Sequence, residues 1–572
     1  MFRKIWVLLA MCLLMSTVQA QSGRGVITIA ISGSPEGLLD KQPLRCDDPQ
    51  CDLLNAMLLP TLQAVDINTG RFVLADASNN GLTENIELID EQTAVFTLRD
   101  DLTWRDGAPI TAYDVYYSYL VAEPSYLRGA VPLSNQRIAF LYEQADCAAL
   151  DQTQFPIVSI RSEYEEVIIN FFAPRSDDDL LAQSDAWFDR DNYFRPSVTY
   201  QSLMDQDRTA GDYRFDELRP LESLRLLSVD GEQAVIFETP APDRDRVQAF
   251  AEGDFTFLES IPLNERINLL NDDTIQTYQY PVSEGYYLRF NLTDPREPKS
   301  AFNQFGEELE QIPHPVMADH AVRQAIRVGL DIDAIIDRAL NGYGIPLSGT
   351  QSPFSWARNP DLPAPVYDPG MAMQILEDAG WRDSNRDGVR ECITCALAEE
   401  DAPLSFIILT TENQVETTAA QEIARQLNLL GMSVNTVPVT ESILLIEIPF
   451  QDFDVYLTRE TWLPAGVNDR AESFARAEDV LVSGDNDISY VNPALEALYQ
   501  QARTLDGCDV DARAELYRQI DTVIAEDLPE IWLFAPTELV VVQDEVLNFA
   551  PIANHPLWNI DAWVVINQEV GG

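Results

Sequence analysis

Histidines and the common catalytic signatures are scarce in this chain. Its 572 residues include only three histidines, His314, His320 and His555. The sequence has no phosphate-binding loop, no Gly-x-Ser-x-Gly elbow and no His-Glu-x-x-His motif. The 93 acidic residues make carboxylate pairs inevitable by chance, so such pairs do not identify an active site. These observations favour a protein that is not an enzyme.

One pattern of oxygen-bearing side chains is typical of metal binding. Asp383, Asn385 and Asp387 alternate with other residues and precede a glycine, as in the first half of a calcium-binding loop. Glu391 stands at the ninth position of this pattern, and Thr394 stands at the twelfth, where a bidentate glutamate is expected. The pattern predicts either a structural calcium ion or a polar turn rich in Asp and Asn. No other motif requires a cofactor.

Cysteine spacing is the second indication of chemistry. Outside the N-terminal apolar segment the chain has six cysteines: Cys46, Cys51, Cys147, Cys392, Cys395 and Cys508. An even number in an exported chain favours disulfides. Short spacing favours the pairs Cys46–Cys51 and Cys392–Cys395, which leaves Cys147–Cys508, although other connectivities are open. A zinc site built from the two local pairs is an alternative.

The first 20 residues have the pattern of a cleavable secretory signal. Arg3 and Lys4 precede an apolar run at 5–15, and a small-residue ending follows at Ala20. The run is too short to span a hydrocarbon core of about 30 Å. Lipidation at Cys12 is disfavoured, because it would cut the apolar run short. We therefore expect cleavage near Ala20 and export to the periplasm or the extracellular space without a lipid anchor.

Composition indicates a globular chain of several domains. It is 46% hydrophobic, which argues against extensive disorder, and its length suggests about two to four domains. Acidic residues outnumber basic ones by 93 to 38, which gives a formal net charge of −55. Because such a surface repels phosphate backbones, we expect no nucleic-acid partner.

Helix and strand patterns alternate along the chain. A continuous apolar run at 26–31 predicts a strand that is buried on both faces. Apolar residues at helical spacing predict helices over 332–340, 417–430 and 513–525. A strand is predicted at 433–439. This alternation predicts the α/β class.

Six segments along the chain carry a family resemblance. The most specific, at 96–115, reads Phe-Thr-Leu-Arg-Asp-Asp-Leu-Thr-Trp-Arg-Asp-Gly-Ala-Pro-Ile-Thr-Ala-Tyr-Asp-Val. The other segments lie at 286–291, 322–346, 367–388, 452–455 and 515–529. In this order they resemble the family-5 extracellular solute-binding proteins, the oligopeptide-, dipeptide- and nickel-binding components of ATP-binding-cassette (ABC) importers. The resemblance extends from about residue 25 to residue 570, which is nearly the whole mature chain.

The resemblance implies a two-lobed, clam-like α/β fold of the periplasmic-binding-protein kind (type II, cluster C-like) with an extra inserted domain. The implied parts are a signal peptide at 1–20, a discontinuous first lobe at 21–75, 185–285 and 525–572, an inserted domain at 76–184, and a second lobe at 286–524. The chain would cross between the lobes near 279–285 and 528–534. Such crossings form a hinge, and a ligand held in the cleft stabilises the closed state.

The resemblance also implies where a ligand binds. Oligopeptide binders of this family carry an Arg-x-x-Trp-x-x-Asp segment, whose aspartate pairs with the α-ammonium group of a peptide. Arg459 and Trp462 match its first part, whereas Ala465 stands where the aspartate is expected. Asp469 or Glu460 would then supply the carboxylate. The alternatives are core packing for Trp462 and an exposed loop position for Asp469.

The leading expectation is a monomeric extracytoplasmic protein that captures a peptide or a similar small ligand and delivers it to the permease subunits of an ABC importer. A secreted hydrolase with two carboxylates in a cleft and a sensory surface-binding protein of the same fold are the alternatives. Nickel and haem cargo also occur in the family. Three histidines argue against direct nickel coordination by the protein.

Overall fold

The computed structural model describes most of the chain. It covers residues 24–566, apart from 32, 47–48, 67–70, 76–80, 123, 125, 161–197, 241–244, 297–299, 463–465 and 553–555. The predicted signal peptide, Ala465 and His555 lie outside the described residues.

Short helices and strands make up the first half of the chain. In chain order they are β1 (Gly25–Ala30), α1 (Pro35–Leu39), α2 (Pro49–Leu58), β2 (Ala64–Asp66), β3 (Arg71–Val73), β4 (Thr83–Asp90), β5 (Thr93–Leu98), α3 (Ala112–Ala122), β6 (Gly129–Pro132), β7 (Arg137–Leu141), α4 (Cys147–Gln152), α5 (Tyr200–Gln206), β8 (Tyr213–Arg219), β9 (Ser223–Ser228), β10 (Gln233–Glu238), α6 (Arg246–Ala251), β11 (Phe257–Leu258), α7 (Arg266–Leu270), β12 (Ile275–Pro281) and β13 (Glu284–Phe290).

Longer helices appear in the second half. They and the remaining strands are α8 (His320–Gly329), α9 (Ile332–Leu340), β14 (Gly344–Pro346), α10 (Pro369–Asp378), β15 (Trp381–Arg382), β16 (Glu391–Cys392), β17 (Ser405–Thr411), α11 (Gln414–Leu429), β18 (Ser433–Val439), α12 (Glu441–Glu447), β19 (Val455–Thr461), α13 (Ala471–Phe474), α14 (Pro493–Arg503), α15 (Val510–Asp527), β20 (Glu530–Gln543), β21 (Val546–Leu547) and β22 (Val564–Val565).

A large mixed sheet runs through both halves of the molecule. Its strands follow the order β18-β17-β19-β13-β20-β11-β1-β10-β9-β8, and β12 and β14 also pair with β20. Strand β1 lies between two parallel neighbours, β10 and β11, which confirms a strand in the region predicted at 26–31. The predicted burial on both faces is only partly met, since Ile27 and Ile29 are buried whereas Val26 and Thr28 are half-buried. Strand β20 lies near the middle of the sheet.

The first lobe has a large apolar core and a smaller, separate apolar cluster around Phe250 and Val541. Ile27 of β1, Phe96 of β5 and Val540 of β20 are fully buried in the large core, together with Trp563 near the C-terminus. The separate four-stranded sheet β4-β5-β7-β6 packs into the same core. The segment predicted as an inserted domain is thus attached to the first lobe by apolar contact as well as by the chain.

The second lobe buries apolar side chains on both faces of its strands. Leu288 and Leu457 belong to one core cluster, whereas their sequence neighbours Tyr287 and Tyr456 belong to another. Because successive side chains of a strand point to opposite faces, the two clusters lie on opposite sides of the sheet. Helix α11 packs in the first cluster and α15 in the second.

Strand β20 carries the chain from the second lobe back to the first. Its first residues, 530–534, pair with β13, and residues 537–543 pair with β12. The first predicted crossing, near 279–285, contains the step from β12 to β13. The second crossing was predicted near 528–534, but these residues pair with β13 and enter the second-lobe core. Residues 534–536 pair with β14, so pairing with second-lobe strands ends at 536. This end lies a few residues later than predicted, because one continuous strand serves both halves.

Side-chain hydrogen bonds fix a local turn and a helix cap. Asp106 accepts a hydrogen bond from the Ala108 backbone N–H and fixes the turn that follows β5. Asp331 accepts one from the Ala334 backbone N–H and caps α9. Within the part of the chain that the structure describes, no helix combines the length and the apolar character that a membrane span requires.

Candidate functional site

Strand β19 carries two of the predicted ligand residues on opposite faces. Arg459 and Glu460 are neighbours, so their side chains point in opposite directions. The guanidinium of Arg459 lies 2.8 Å from the carboxylate of Glu416 and 3.3 Å from that of Glu284. The charge of Arg459 is therefore balanced within the protein.

The face that carries Glu460 holds a group of charged side chains, which we call the Arg470 cluster: Arg289, Glu460, Arg470, Asp487 and Glu530. Arg470 Nη1 lies 3.1 Å from Glu460 Oε2 and 3.0 Å from Glu530 Oε1. Arg289 Nη1 lies 2.9 Å from Asp487 Oδ1. The side chain of Glu460 is 26% exposed, whereas those of the other four are 10% exposed or less. Glu460 is thus the accessible member.

The charges of the Arg470 cluster do not cancel. Three carboxylates face two guanidinium groups, which leaves one negative charge. Burial alone would lower the pKa of Arg470, but the carboxylates of Glu460 and Glu530 raise it well above its ordinary value. Burial raises the pKa of Glu460, against the opposing effect of Arg470. A cationic ligand group beside Glu460 would balance the remaining charge.

Aromatic rings lie beside the Arg470 cluster. The rings of Trp462 and Trp532 are stacked with centroids 5.5 Å apart, and Tyr287 stacks on Trp532 at 4.7 Å. Trp462 is buried, as the core-packing alternative predicts. Its indole Nε1 is nevertheless a buried donor without a hydrogen-bond partner among the described residues. Since an unpaired buried donor is costly, this N–H is available to a ligand acceptor.

Asp469 is buried and bound within the second lobe. Its side chain is 2% exposed, and its Oδ1 accepts a hydrogen bond from Arg503 Nη2 at 2.6 Å. Its Oδ2 accepts one from the Tyr517 hydroxyl. The alternative of an exposed loop acid is therefore wrong. Because its side chain is enclosed and both of its oxygens already accept hydrogen bonds, Asp469 is less well placed than Glu460 to bind a ligand cation.

The cysteines are joined in the three predicted pairs: Cys46–Cys51, Cys147–Cys508 and Cys392–Cys395. This pairing leaves no thiolate for the alternative zinc site. The pair Cys147–Cys508 joins α4, which follows the four-stranded sheet of the first lobe, to the turn before α15 of the second lobe. Beside it, Asp151 Oδ2 lies 2.7 Å from Arg513 Nη2. A covalent bond and an ion pair thus connect the lobes away from the crossing strands.

The predicted metal loop connects β15 to β16 in the second lobe. It brings one carboxylate oxygen each of Asp383, Asp387 and Glu391 within 4.8 Å of one another. Asn385 lies between them in sequence, and its side-chain amide donates a hydrogen bond to Asp387. The loop thus groups the predicted oxygen ligands.

Four members of the Arg470 cluster were not predicted from the sequence. Glu530 begins an apolar segment, Ile-Trp-Leu-Phe-Ala, and Arg289 stands in another, Tyr-Tyr-Leu-Arg-Phe. A lone charge in an otherwise apolar strand is a signal for a buried ion pair, and it could have identified these two residues. Arg470 and Asp487 lie in polar segments, where no such signal exists.

Comparisons with known proteins agree with this architecture. Oligopeptide-binding protein AppA of Bacillus subtilis is 28% identical over 250 residues, which cover 43% of this chain and 44% of AppA. The match thus spans less than half of that relative's length. The solved structure of AppA from Bacillus subtilis in complex with a nonapeptide has a TM-score of 0.55, with 20% identity, and covers 96% of this chain and 100% of that chain.

A solved structure described as a nickel ABC transporter from Bacillus halodurans has a TM-score of 0.65 at 16% identity, and covers 93% of this chain and 98% of that chain. These likenesses confirm the predicted two-lobed α/β fold. The family model for bacterial extracellular solute-binding proteins, family 5, matches residues 79–475. That match covers more than half of the chain, and the chain therefore belongs to the family-5 bacterial extracellular solute-binding proteins.

Proposed function

We propose that this protein captures a peptide-like ligand in the cleft between its lobes and delivers it to the permease subunits of an ABC importer. The observation that carries the proposal is the pair formed by Glu460 and Trp462. Glu460 is a partly exposed carboxylate in a cluster with excess negative charge, and the Trp462 indole N–H has no partner among the described residues. A peptide offers an ammonium group to the first and a carbonyl oxygen to the second.

A peptide is favoured over a metal ion as the ligand. His314 Nε2 lies 3.0 Å from Asp454 Oδ1, and His320 Nε2 lies 2.8 Å from the Glu526 carbonyl oxygen. Both described histidines are therefore bound within the protein. The relative AppA is named for oligopeptide binding and was solved with a nonapeptide, which supports the same ligand class here.

The remaining parts of the proposal follow from capture as the function. Binding requires no covalent chemistry, so the protein acts as a monomeric carrier and not as an enzyme. It is exported, its signal peptide is removed near Ala20, and the lobe bounds are those implied by the family resemblance, apart from the second crossing. N-terminal sequencing of the mature protein tests the cleavage site.

Native mass spectrometry of protein purified gently from its own host is the first test. Gentle purification keeps a tightly bound ligand in the closed cleft, so we expect a retained mass within the range of short peptides. A mass equal to that of the bare chain, together with no rise of the melting temperature in a peptide pool, would overturn the proposal.

The variant Glu460→Gln tests the ammonium contact. It removes the charge but keeps the size of the side chain, so we expect affinity for a free-amine peptide to fall about 10- to 100-fold. Affinity for the N-acetylated form of the same peptide should stay unchanged. Both affinities are measured by isothermal titration calorimetry. Glu284→Gln is the matched control, because Glu284 pairs with Arg459 on the opposite face of the strand.

The two peptides separate a binding effect from a folding defect. If Glu460→Gln weakens both peptides equally, or if Glu284→Gln has the same effect, Glu460 does not bind the amino terminus. A retained peptide mass in native mass spectrometry would still support peptide capture.

A further inference from the structure

The turn between β15 and β16 forms a compact loop with an excess of carboxylates. Arg382 and Glu391 lie opposite each other in the antiparallel strand pair at the base of this hairpin. Inside the loop, Asp383 accepts hydrogen bonds from the backbone N–H groups of Asp387 and Gly388, both at 3.1 Å. Gly388 has φ +96, a left-handed conformation that glycine adopts without steric cost. These bonds hold the loop in a tight turn around its acidic side chains.

Three carboxylates meet in this loop with no cationic side chain of the described residues paired to them. One oxygen each of Asp383, Asp387 and Glu391 lies within 4.8 Å of the others, and none of the three forms an ion pair with a described Lys, Arg or His. Arg382, Arg386 and Arg390 adjoin these acids in sequence, yet none of them forms an ion pair with the loop carboxylates among the described residues. Arg390 instead donates to the Leu430 and Trp381 carbonyl oxygens. The described protein therefore offsets the mutual repulsion of these carboxylates with hydrogen bonds but with no cationic side chain.

Glu391 supplies an independent observation. The residue is 8% exposed, and its Oε2 accepts hydrogen bonds from the backbone N–H and the hydroxyl of Ser384. Its other oxygen, Oε1, is buried and has no hydrogen-bond partner among the described residues. A buried carboxylate oxygen without a partner is costly, and a bound cation would satisfy it.

We propose that this loop is a Ca²⁺ site. Its ligands would be the side-chain oxygens of Asp383, Asn385, Asp387 and Glu391, with the backbone carbonyl of Val389 at the seventh position of the pattern. Ca²⁺ prefers oxygen ligands of this kind in a flexible arrangement, and exported modules bind it at about 10⁻⁴–10⁻³ M. The site lies outside the Arg470 cluster and does not depend on the proposed peptide ligand.

Terbium luminescence tests the site on the full-length mature protein. Trp381 begins the hairpin next to the loop and is fully buried, so it can transfer excitation energy to a bound Tb³⁺ ion. We expect Tb³⁺ emission on tryptophan excitation, displacement by Ca²⁺ with half-saturation at about 10⁻⁴–10⁻³ M, and little displacement by Mg²⁺ at the same concentration.

The double variant Asp383→Asn and Asp387→Asn should lose the emission. The matched control is Asp272→Asn and Asp273→Asn, which removes two charges from an exposed turn elsewhere and should keep it. The melting temperature without metal shows whether the loop variant folds. For the wild type and the control it should rise on adding Ca²⁺, and for the loop variant it should not.

Emission that survives in the loop variant, or a Ca²⁺-induced rise in melting temperature that is equal in all three proteins, would overturn the proposal. Should the double variant not fold, Glu391→Gln replaces it, with the same two readouts. An absence of both Tb³⁺ emission and a Ca²⁺ effect in the wild type would show that the loop is a polar turn only.

Discussion

Glu460 lies in β19 and Asp469 follows that strand closely in sequence, yet the two carboxylates differ in exposure. Asp469 is enclosed, and it shares Arg503, which lies 34 residues away, with Glu472. Glu460 shares Arg470 with a second carboxylate, Glu530, and stays partly exposed. The family pattern indicates this part of the chain, but it cannot rank the two acids, because the ranking depends on partners that are distant in sequence.

Asp521 in α15 is expected to make stability depend on pH. Burial raises its pKa to about 6 from 3.8, and its carboxylate accepts hydrogen bonds from the backbone N–H and hydroxyl of Thr350. The nearby carboxylate of Glu530 also raises the pKa of Asp521. Since the folded state binds the proton more tightly than the unfolded state, the free energy of unfolding should decrease as the pH rises from about 4 to about 6.

The variant Asp521→Asn keeps the size and the acceptor oxygen but cannot ionise. Above pH 6 it should be more stable than the wild type by about 1–3 kcal/mol, and the difference should vanish near pH 4. Urea unfolding across this pH range measures both quantities. Glu515→Gln, an exposed charge removal in the same helix, should show no such trend. A variant that is less stable than the wild type at every pH would contradict the prediction.

At the scale of elements, the stacked tryptophans depend on a glycine in β13. A Cβ atom added at Gly285 would lie 2.4 Å from Cη2 and Cζ2 of Trp462 and 2.7 Å from Cζ3 of Trp532. Only a residue without a side chain lets β13 pass this close to both rings. Strand β13 therefore fixes the position of the indole N–H that we assign to the ligand.

The variant Gly285→Ala should displace the rings. We expect a stability loss of about 1–3 kcal/mol, typical of overpacking, and a shift of tryptophan fluorescence towards longer wavelength. Peptide affinity should fall as well. Gly33→Ala is the control, since nothing lies within 4 Å of a Cβ at that position. Unchanged fluorescence and affinity in Gly285→Ala would show that the two rings do not form part of the site.

Elements were predictable where their signals are local. Asp331 and Ala334 are three residues apart, and the apolar stripe of α9 follows directly, so the cap and the helix could be predicted together. The shared strand β20 could not be predicted in this way. Its two apolar runs, 531–535 and 539–542, are separated by Pro536, Thr537 and Glu538. A proline in a strand pattern argues for two separate strands, whereas the structure has one strand whose pairing passes from β13 and β14 to β12. The change is set by which strands lie beside it in the folded molecule.

At the scale of the whole molecule, the disulfide Cys147–Cys508 adds a third covalent connection between lobes that are otherwise joined by two crossing segments. It spans 361 residues. A ligand-binding clamshell needs relative motion of its lobes, and this bond together with the Asp151–Arg513 ion pair restricts that motion. We expect the oxidised protein to open less than a protein without the bond.

The double variant Cys147→Ser and Cys508→Ser should widen the range of opening. We expect a larger radius of gyration by X-ray scattering without ligand, and faster peptide association in stopped-flow measurements. Stability should fall by about 6 kcal/mol in the chain-entropy description of disulfides. The control Cys46→Ser and Cys51→Ser removes a bond that spans five residues and should change neither opening nor association. Equal scattering and association rates in both variants and the wild type would exclude a restriction by this disulfide.

The strand that the two lobes share has a further consequence for how the protein is made. The core of the first lobe begins with Ile27 and is completed by Val540, Val542 and Trp563. Synthesis and export proceed from the N-terminus, so nearly the entire polypeptide must emerge before that core can close. Until then β1 lacks its full set of neighbours, and incomplete chains expose apolar strand surface that is prone to aggregation. The first lobe is therefore the first to be synthesised but among the last parts of the protein to complete its fold.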